Sequence, residues 1–182
     1  NNIEDDMLRR YMGLYAQANF DYKNYLFLDL TVRNDWSSTL PKDNNSYFYY
    51  GANVSWVFTD NLDLKSKIFN YGKLRVGYGT TGNDAPPYVV LPTFNRASIQ
   101  QPFRDYNAPV GGRNFFAINN RLGSGDLGPE ITTEFEIGGE FRFFTGRLTV
   151  DLTYYNRVTT DLILDVPVAP ESGYTVVTQN VG

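Results

Sequence analysis

Apolar and polar residues alternate along six stretches of the chain, and this alternation restricts the fold more than any other feature of the sequence. The stretches cover residues 11–20, 25–33, 48–58, 73–80, 131–143 and 147–157. Successive side chains of a β-strand point to opposite faces, so a period of two predicts strands with one apolar face and one polar face. We therefore predict an all-β, antiparallel sheet of about six strands, with at most a turn or two of helix at 62–69.

Charge is confined to one face of these strands. Every position on the apolar face of the six stretches is free of Asp, Glu, Lys and Arg. A charge facing the middle of a bilayer costs roughly 2–4 kcal/mol, so a lipid-facing sheet has this pattern, as does a soluble sheet packed on a core. The charged residues of the opposite face are Asp29, Arg33, Lys73, Arg75, Glu134, Glu136, Glu140, Arg142, Arg147, Asp151 and Arg157.

The lengths of the connections favour a membrane barrel over a soluble fold. Short connections at 21–24 and 144–146, and a medium one at 59–72, alternate with connections at 34–46, 81–130 and from 158 onward, of which the second is very long. Outer-membrane barrels combine tight turns at one end with long loops at the other. Aromatic residues make up 16% of the chain and cluster near predicted strand ends, as in interfacial girdles. A secreted soluble β-sandwich adhesin or carbohydrate-binding module is the alternative.

Composition excludes several other classes of protein. The net charge is -4, with no basic stripe, which argues against binding of nucleic acid. The absence of cysteine and histidine excludes disulfide frameworks, thiol chemistry and catalytic triads with an imidazole base. No apolar run of about 18 residues is present, so no membrane-spanning helix is predicted. We predict no cofactor, metal or catalytic residue.

The glycines of residues 73–84, KLRVGYGTTGND, permit a second interpretation. Gly77, Gly79 and Gly82 have the G-x-G-x-x-G spacing of a dinucleotide-binding turn. Such a turn needs a helix that begins at the third glycine, whereas this chain continues with Asn-Asp-Ala-Pro-Pro. The glycines fit better in a strand whose inner face lies against a crowded neighbour or an enclosed plug.

Five ordered motifs carry a family resemblance: LTVRNDWSSTLP (30–41), YGANVSWVFTD (50–60), KLRVGYGTTGN (73–83), TTEFEIGGEFRFFTGRLTVDLTYYNRVTTDLIL (132–164) and SGYTVVTQNVG (172–182). The chain resembles the SusC/RagA family of TonB-dependent transporters of Bacteroidota outer membranes. One segment departs from the family pattern, because GDLGPEITTE (125–134) lacks the usual tryptophan before the fifth strand.

The resemblance implies what the rest of the protein contains. The chain, residues 1–182, would be an internal segment of a 22-stranded transmembrane β-barrel in the outer membrane, namely six strands and the start of a seventh. The plug domain and the TonB box would lie outside it. The implied partners are a SusD-like surface lipoprotein, TonB acting through the plug, the lipid bilayer with its lipopolysaccharide, and an oligosaccharide or peptide ligand.

Two groups of residues are candidates for function. The long loop at about 81–130 would be extracellular, and its aromatic, arginine and acidic side chains are predicted to contact ligand or partner: Phe94, Arg96, Phe103, Arg104, Tyr106, Arg113, Phe115 and Asp126. The charged strand residues are predicted to line the lumen: Asp29, Arg33, Lys73, Arg75, Glu134, Glu136, Glu140, Arg142, Asp151 and Arg157. Glu134 and Glu136 have the spacing of a glycosidase carboxylate pair, but a solvated wall with arginine partners explains them more simply. We therefore predict no enzymatic activity.

Overall fold

The computed structural model describes residues 8–64, 66–99, 106, 107 and 109–182. The β-strands in chain order are β1 (Tyr11–Tyr22), β2 (Leu26–Ser37), β3 (Ser46–Trp56), β4 (Phe69–Asn83), β5 (Phe94–Arg96), β6 (Ser98–Ile99), β7 (Tyr106–Asn107), β8 (Phe116–Ile118), β9 (Arg121–Leu122), β10 (Glu130–Phe143), β11 (Leu148–Thr160), β12 (Leu162–Pro167) and β13 (Val176–Val181). A short helix α1 (Phe58–Asn61) follows β3, and a 3-10 turn (Pro170–Ser172) follows β12. No helix in the described ranges is long and apolar enough to cross a membrane.

The six long strands form one antiparallel sheet in the order β1-β2-β3-β4-β10-β11, which confirms the predicted fold. The segment predicted to begin a seventh strand does not join this sheet. Strands β12 and β13 pair as a hairpin, and β13 also pairs in parallel with β9 at the end of the long loop. The remaining small sheets, β5 with β8 and β6 with β7, lie within that loop.

The short helix is displaced from its predicted position. It occupies Phe58–Asn61 instead of 62–69, and β3 consequently ends at Trp56. The cause is a tertiary contact, since the Thr59 hydroxyl is buried and bonded to both the amide and the carbonyl of Gly72 on β4. The connection at 57–68 is longer than the one at 38–45, so the third connection is an exception to the alternation of lengths, as its predicted bounds already made it.

The register keeps the two faces separate across the whole sheet. On the uncharged face, Ala18, Leu30, Ala52, Tyr78 and Phe135 pair one with the next across five strands. The neighbouring row on the opposite face contains Asn19, Asp29, Asn53, Gly77 and Glu136. Because a shift of one residue would exchange the faces, this register preserves the segregation of charge.

The buried core does not lie on the uncharged face. Its members are Leu40, Tyr47, Ala85, Val89 and Leu127, and they lie where the long loop meets the sheet. Large side chains of the uncharged face are exposed, for example Leu14 at 70% and Leu152 at 63%. Among the described residues no second sheet covers this face, so the architecture differs from that of a β-sandwich.

Two glycines of β4 differ in the space that their surroundings leave for a side chain. A Cβ atom on Gly82 would lie 2.7 Å from Cε2 of the buried Tyr47 ring, whereas a Cβ on Gly79 would meet no atom closer than 3.5 Å. Gly82→Ala is expected to destabilise the protein by about 1–3 kcal/mol, because the added methyl group would have to displace a ring that is buried and stacked on Tyr49. Gly79→Ala, the matched control in the same motif, is expected to leave the urea-unfolding midpoint unchanged. Equal midpoints for the two variants would contradict this explanation.

Candidate functional site: the charged face and its long-loop end

The charged strand residues share one face, and several of them pair with one another there. Arg75 contacts Glu136 on β10 at 3.2 Å and Asp151 on β11 at 2.8 Å. The other two pairs on these strands join Arg157 to Glu134 at 2.5 Å and Arg142 to Glu140 at 2.6 Å. Their side chains are partly exposed, so such pairs contribute little to stability and leave the face wettable.

The arrangement of Glu134 and Glu136 does not favour acid–base catalysis. Each carboxylate is paired with an arginine, and Gly77 and Gly79 beside them open a hollow of about 470 Å³ on the charged face. Among the described residues no group of three or more acidic side chains is placed to hold a metal ion.

The predicted contact residues of the long loop are spread over several places. Phe94 and Arg96 project from the same side of the β5–β8 ribbon and are exposed. Arg113 lies in a turn closed by backbone hydrogen bonds with Val110. The other residues are distributed as follows: Phe115 follows that turn and is half-buried, Asp126 is exposed at the loop end, Tyr106 belongs to β7, and Phe103 and Arg104 lie outside the described residues.

Asp35, at the long-loop end of the sheet, carries a buried carboxylate and is not among the functional residues predicted from the sequence. Asp35 is 0% exposed and accepts hydrogen bonds from the hydroxyls of Tyr11 and Tyr49, the latter at 2.6 Å. The Arg33 Nε donates to the same carboxylate at 2.8 Å. Arg33, predicted to line the lumen, thus also neutralises a buried charge.

A second buried carboxylate joins the long loop to the sheet. Asp84 is the first residue after β4, and its carboxylate accepts hydrogen bonds from the hydroxyls of Ser37 and Thr39. It also forms an ion pair with Arg9 at 2.5 Å. Burial by itself raises the pKa of Asp84, but the two hydroxyls and the Arg9 charge outweigh it and lower the pKa below its ordinary value. Two motifs far apart in sequence, R-x-D-x-S-S and T-G-N-D, therefore meet here. Both motifs could be recognised in the sequence. The alternation of apolar and polar residues, however, does not predict that the two motifs contact each other.

The segment that lacks the family's tryptophan forms the end of the long loop, directly before β10. Leu127 of GDLGPE is completely buried among Leu40, Tyr47, Ala85 and Val89. The beginning and the end of the long loop thus pack in the same small core, against tyrosines of the charged face. This packing places the base of the loop over the charged side of the sheet.

Comparison with known proteins decides the family. The profile described as "TonB dependent receptor-like, beta-barrel" matches residues 2–182. The chain belongs to this family. Its sheet is accordingly a segment of a TonB-dependent receptor barrel, which agrees with the strand order and the two-faced register.

Curated relatives are similar over most of this chain. TonB-dependent receptor P39 of Formosa agariphila is 30% identical over 171 residues, which are 93% of this chain and 16% of that protein. TonB-dependent receptor SusC of Bacteroides thetaiotaomicron is 29% identical over 177 residues, 94% of this chain and 17% of SusC. The chain therefore spans about one sixth of the length of these relatives.

Solved structures agree on the fold. A structure of the RagAB peptide transporter matches 96% of this chain and 18% of its own chain, with a TM-score of 0.80 and 25% identity. The siderophore receptor PirA from Pseudomonas aeruginosa matches 95% of this chain and 29% of its own chain, with a TM-score of 0.57 and 16% identity, which shows the fold alone.

Proposed function

We propose that this chain is a wall segment of an outer-membrane, TonB-dependent nutrient importer. In this proposal residues 1–182 belong to a transmembrane barrel of 22 strands, whose plug and TonB box are contributed by other parts of the protein. The uncharged face contacts lipid and the charged face lines the lumen. The loop 84–129 forms part of the external vestibule.

The observation that carries the proposal is the exposure of an uncharged face that continues in register over six strands. A soluble protein would bury such a large apolar surface, since contiguous apolar patches of this kind mark protein or membrane contacts. The membership in a family of TonB-dependent receptor barrels favours a lipid contact. The charged face, with its partly exposed ion pairs and glycine hollow, has the polarity of a lumen wall.

The proposed partners come from the relatives. Likeness to SusC and to the RagAB peptide transporter supports transport with a SusD-like surface lipoprotein and energy supplied through TonB. The proposed ligand is an oligosaccharide or a peptide. The contact residues proposed for it, or for the lipoprotein, are Phe94, Arg96, Phe103, Arg104, Tyr106, Arg113, Phe115 and Asp126.

Spin labels test which face contacts lipid. Single cysteines replacing Leu26, Val54 and Leu152, labelled in the full-length protein in outer membranes, are expected to be accessible to oxygen and shielded from a water-soluble nickel complex. A label replacing Ser55, the next residue after Val54 and on the opposite face, is the matched control and should be accessible to nickel. Nickel accessibility at all three uncharged positions would reject the lipid contact.

A further inference from the structure

The end of the long loop and the hairpin that follows β11 are joined by backbone hydrogen bonds. We call residues 119–130 the loop stem, and residues 162–181 the hairpin. The carbonyl of Asn120 in the stem accepts hydrogen bonds from the amides of Thr175 at 2.8 Å and Val176 at 3.4 Å. Beyond it, β9 and β13 pair in parallel, with Val176 opposite Arg121. The two segments therefore share a small sheet although β10 and β11 separate them in sequence.

A carboxylate of the hairpin adds a charged contact to the loop stem. Asp165 on β12 contacts Arg121 at 2.5 Å and accepts a hydrogen bond from the Thr178 hydroxyl at 2.6 Å. Thr178 is buried, whereas Arg121 and Asp165 are partly exposed. Asp165 thus connects both strands of the hairpin with the stem.

The side-chain amide of Asn180 makes the most specific of these contacts. Its oxygen accepts the Gly128 amide proton at 2.7 Å, and its nitrogen donates to the carbonyls of Gly128 at 3.0 Å and Asp161 at 2.7 Å. One amide group therefore satisfies both backbone groups of Gly128 in the stem, as a neighbouring strand would. This geometry needs a donor and an acceptor on the same short side chain.

A glutamate extends the connection to the sheet itself. The carboxylate of Glu130, at the start of β10, accepts hydrogen bonds from the Ile163 amide at 2.9 Å and the Asn83 side chain at 3.0 Å. Ile163 also packs on the buried core of the loop. The stem, the hairpin and the end of β4 consequently meet at one point.

We infer that the loop stem and the hairpin form one mechanical unit at the long-loop end of the barrel, with Asn180 as the residue that positions them. A displacement of either segment displaces the other, because four independent sets of contacts would otherwise have to break. If the loop contacts ligand or lipoprotein, which rests on the proposed function, that contact is transmitted to the hairpin. The coupling itself does not depend on transport.

Hydrogen–deuterium exchange of the full-length protein tests the coupling. Asn180→Asp keeps the acceptor for Gly128 but turns a carboxylate oxygen toward two carbonyl oxygens. For Asn180→Asp we expect exchange about tenfold faster than in the wild type, in peptides from residues 119–130 and in peptides from residues 176–182. For Asn180→Ala we expect a similar or smaller increase in the same peptides. The control Asn61→Ala, an exposed asparagine of α1 for which no side-chain hydrogen bond is described, should leave both peptides unchanged.

A milder variant separates loss of the coupling from general unfolding of the protein. General unfolding would be seen as faster exchange in residues 131–143. Asp165→Asn keeps the size of the side chain and removes the charge paired with Arg121. It is expected to accelerate exchange in residues 119–124 several-fold while 131–143 exchange as in the wild type. Acceleration confined to the hairpin, with the loop stem exchanging at the wild-type rate, would overturn the inference.

Discussion

Arg33→Met is expected to destabilise the folded protein by about 3 kcal/mol, because it removes the cation that neutralises a buried carboxylate. The Asp35 side chain is 0% exposed, whereas the Arg33 side chain is 39% exposed. Tyr11 and Tyr49 continue to donate to the carboxylate, which places the cost at the lower end of the range for a buried ion pair broken on one side. The measurement is the free energy of unfolding in urea, with the full-length protein in phospholipid vesicles.

The matched control is another arginine of the same face. Arg157→Met breaks a pair with Glu134, whose side chain is 33% exposed, so water can replace the lost contact and the cost should stay below about 1 kcal/mol. Adding Asp35→Leu to Arg33→Met should recover part of the lost stability, because the unpaired buried charge is then gone. A double variant less stable than Arg33→Met alone would refute the explanation.

Leu127→Ala is expected to destabilise the base of the long loop by about 3 kcal/mol. Leu127 is 0% exposed, and truncation to alanine leaves a cavity among Leu40, Tyr47, Ala85 and Val89. Because both ends of the loop share this core, the expected result is earlier proteolytic cleavage of residues 84–129 and a lower urea midpoint.

A second leucine of the same loop provides the control. Leu91 is 71% exposed, so Leu91→Ala should change the stability by less than about 0.5 kcal/mol. Similar cleavage rates for the two variants would mean that the core around Leu127 does not hold the loop.

The two-faced sheet was predictable because it depends on local periodicity. Positions such as Leu28, Val54 and Ile137 could be assigned to one face by counting, and the register then aligned them. The helix α1 was misplaced because its position depends on a bond between Thr59 and Gly72, thirteen residues away. The predicted contact residues of the long loop remain predictions, since aromatic and arginine content alone does not define a binding site.

The sequence by itself determined the strands, the segregation of charge and the resemblance to a family of outer-membrane transporters. These properties follow from residue type and spacing, which act over a few neighbouring positions. Only the tertiary structure decided that Asp84 binds Ser37, that Leu127 fills a core with Tyr47, and that Asn180 holds Gly128. Such contacts join residues 47 to 80 positions apart, and they form only after the paths of the sheet and its loops have brought those residues together.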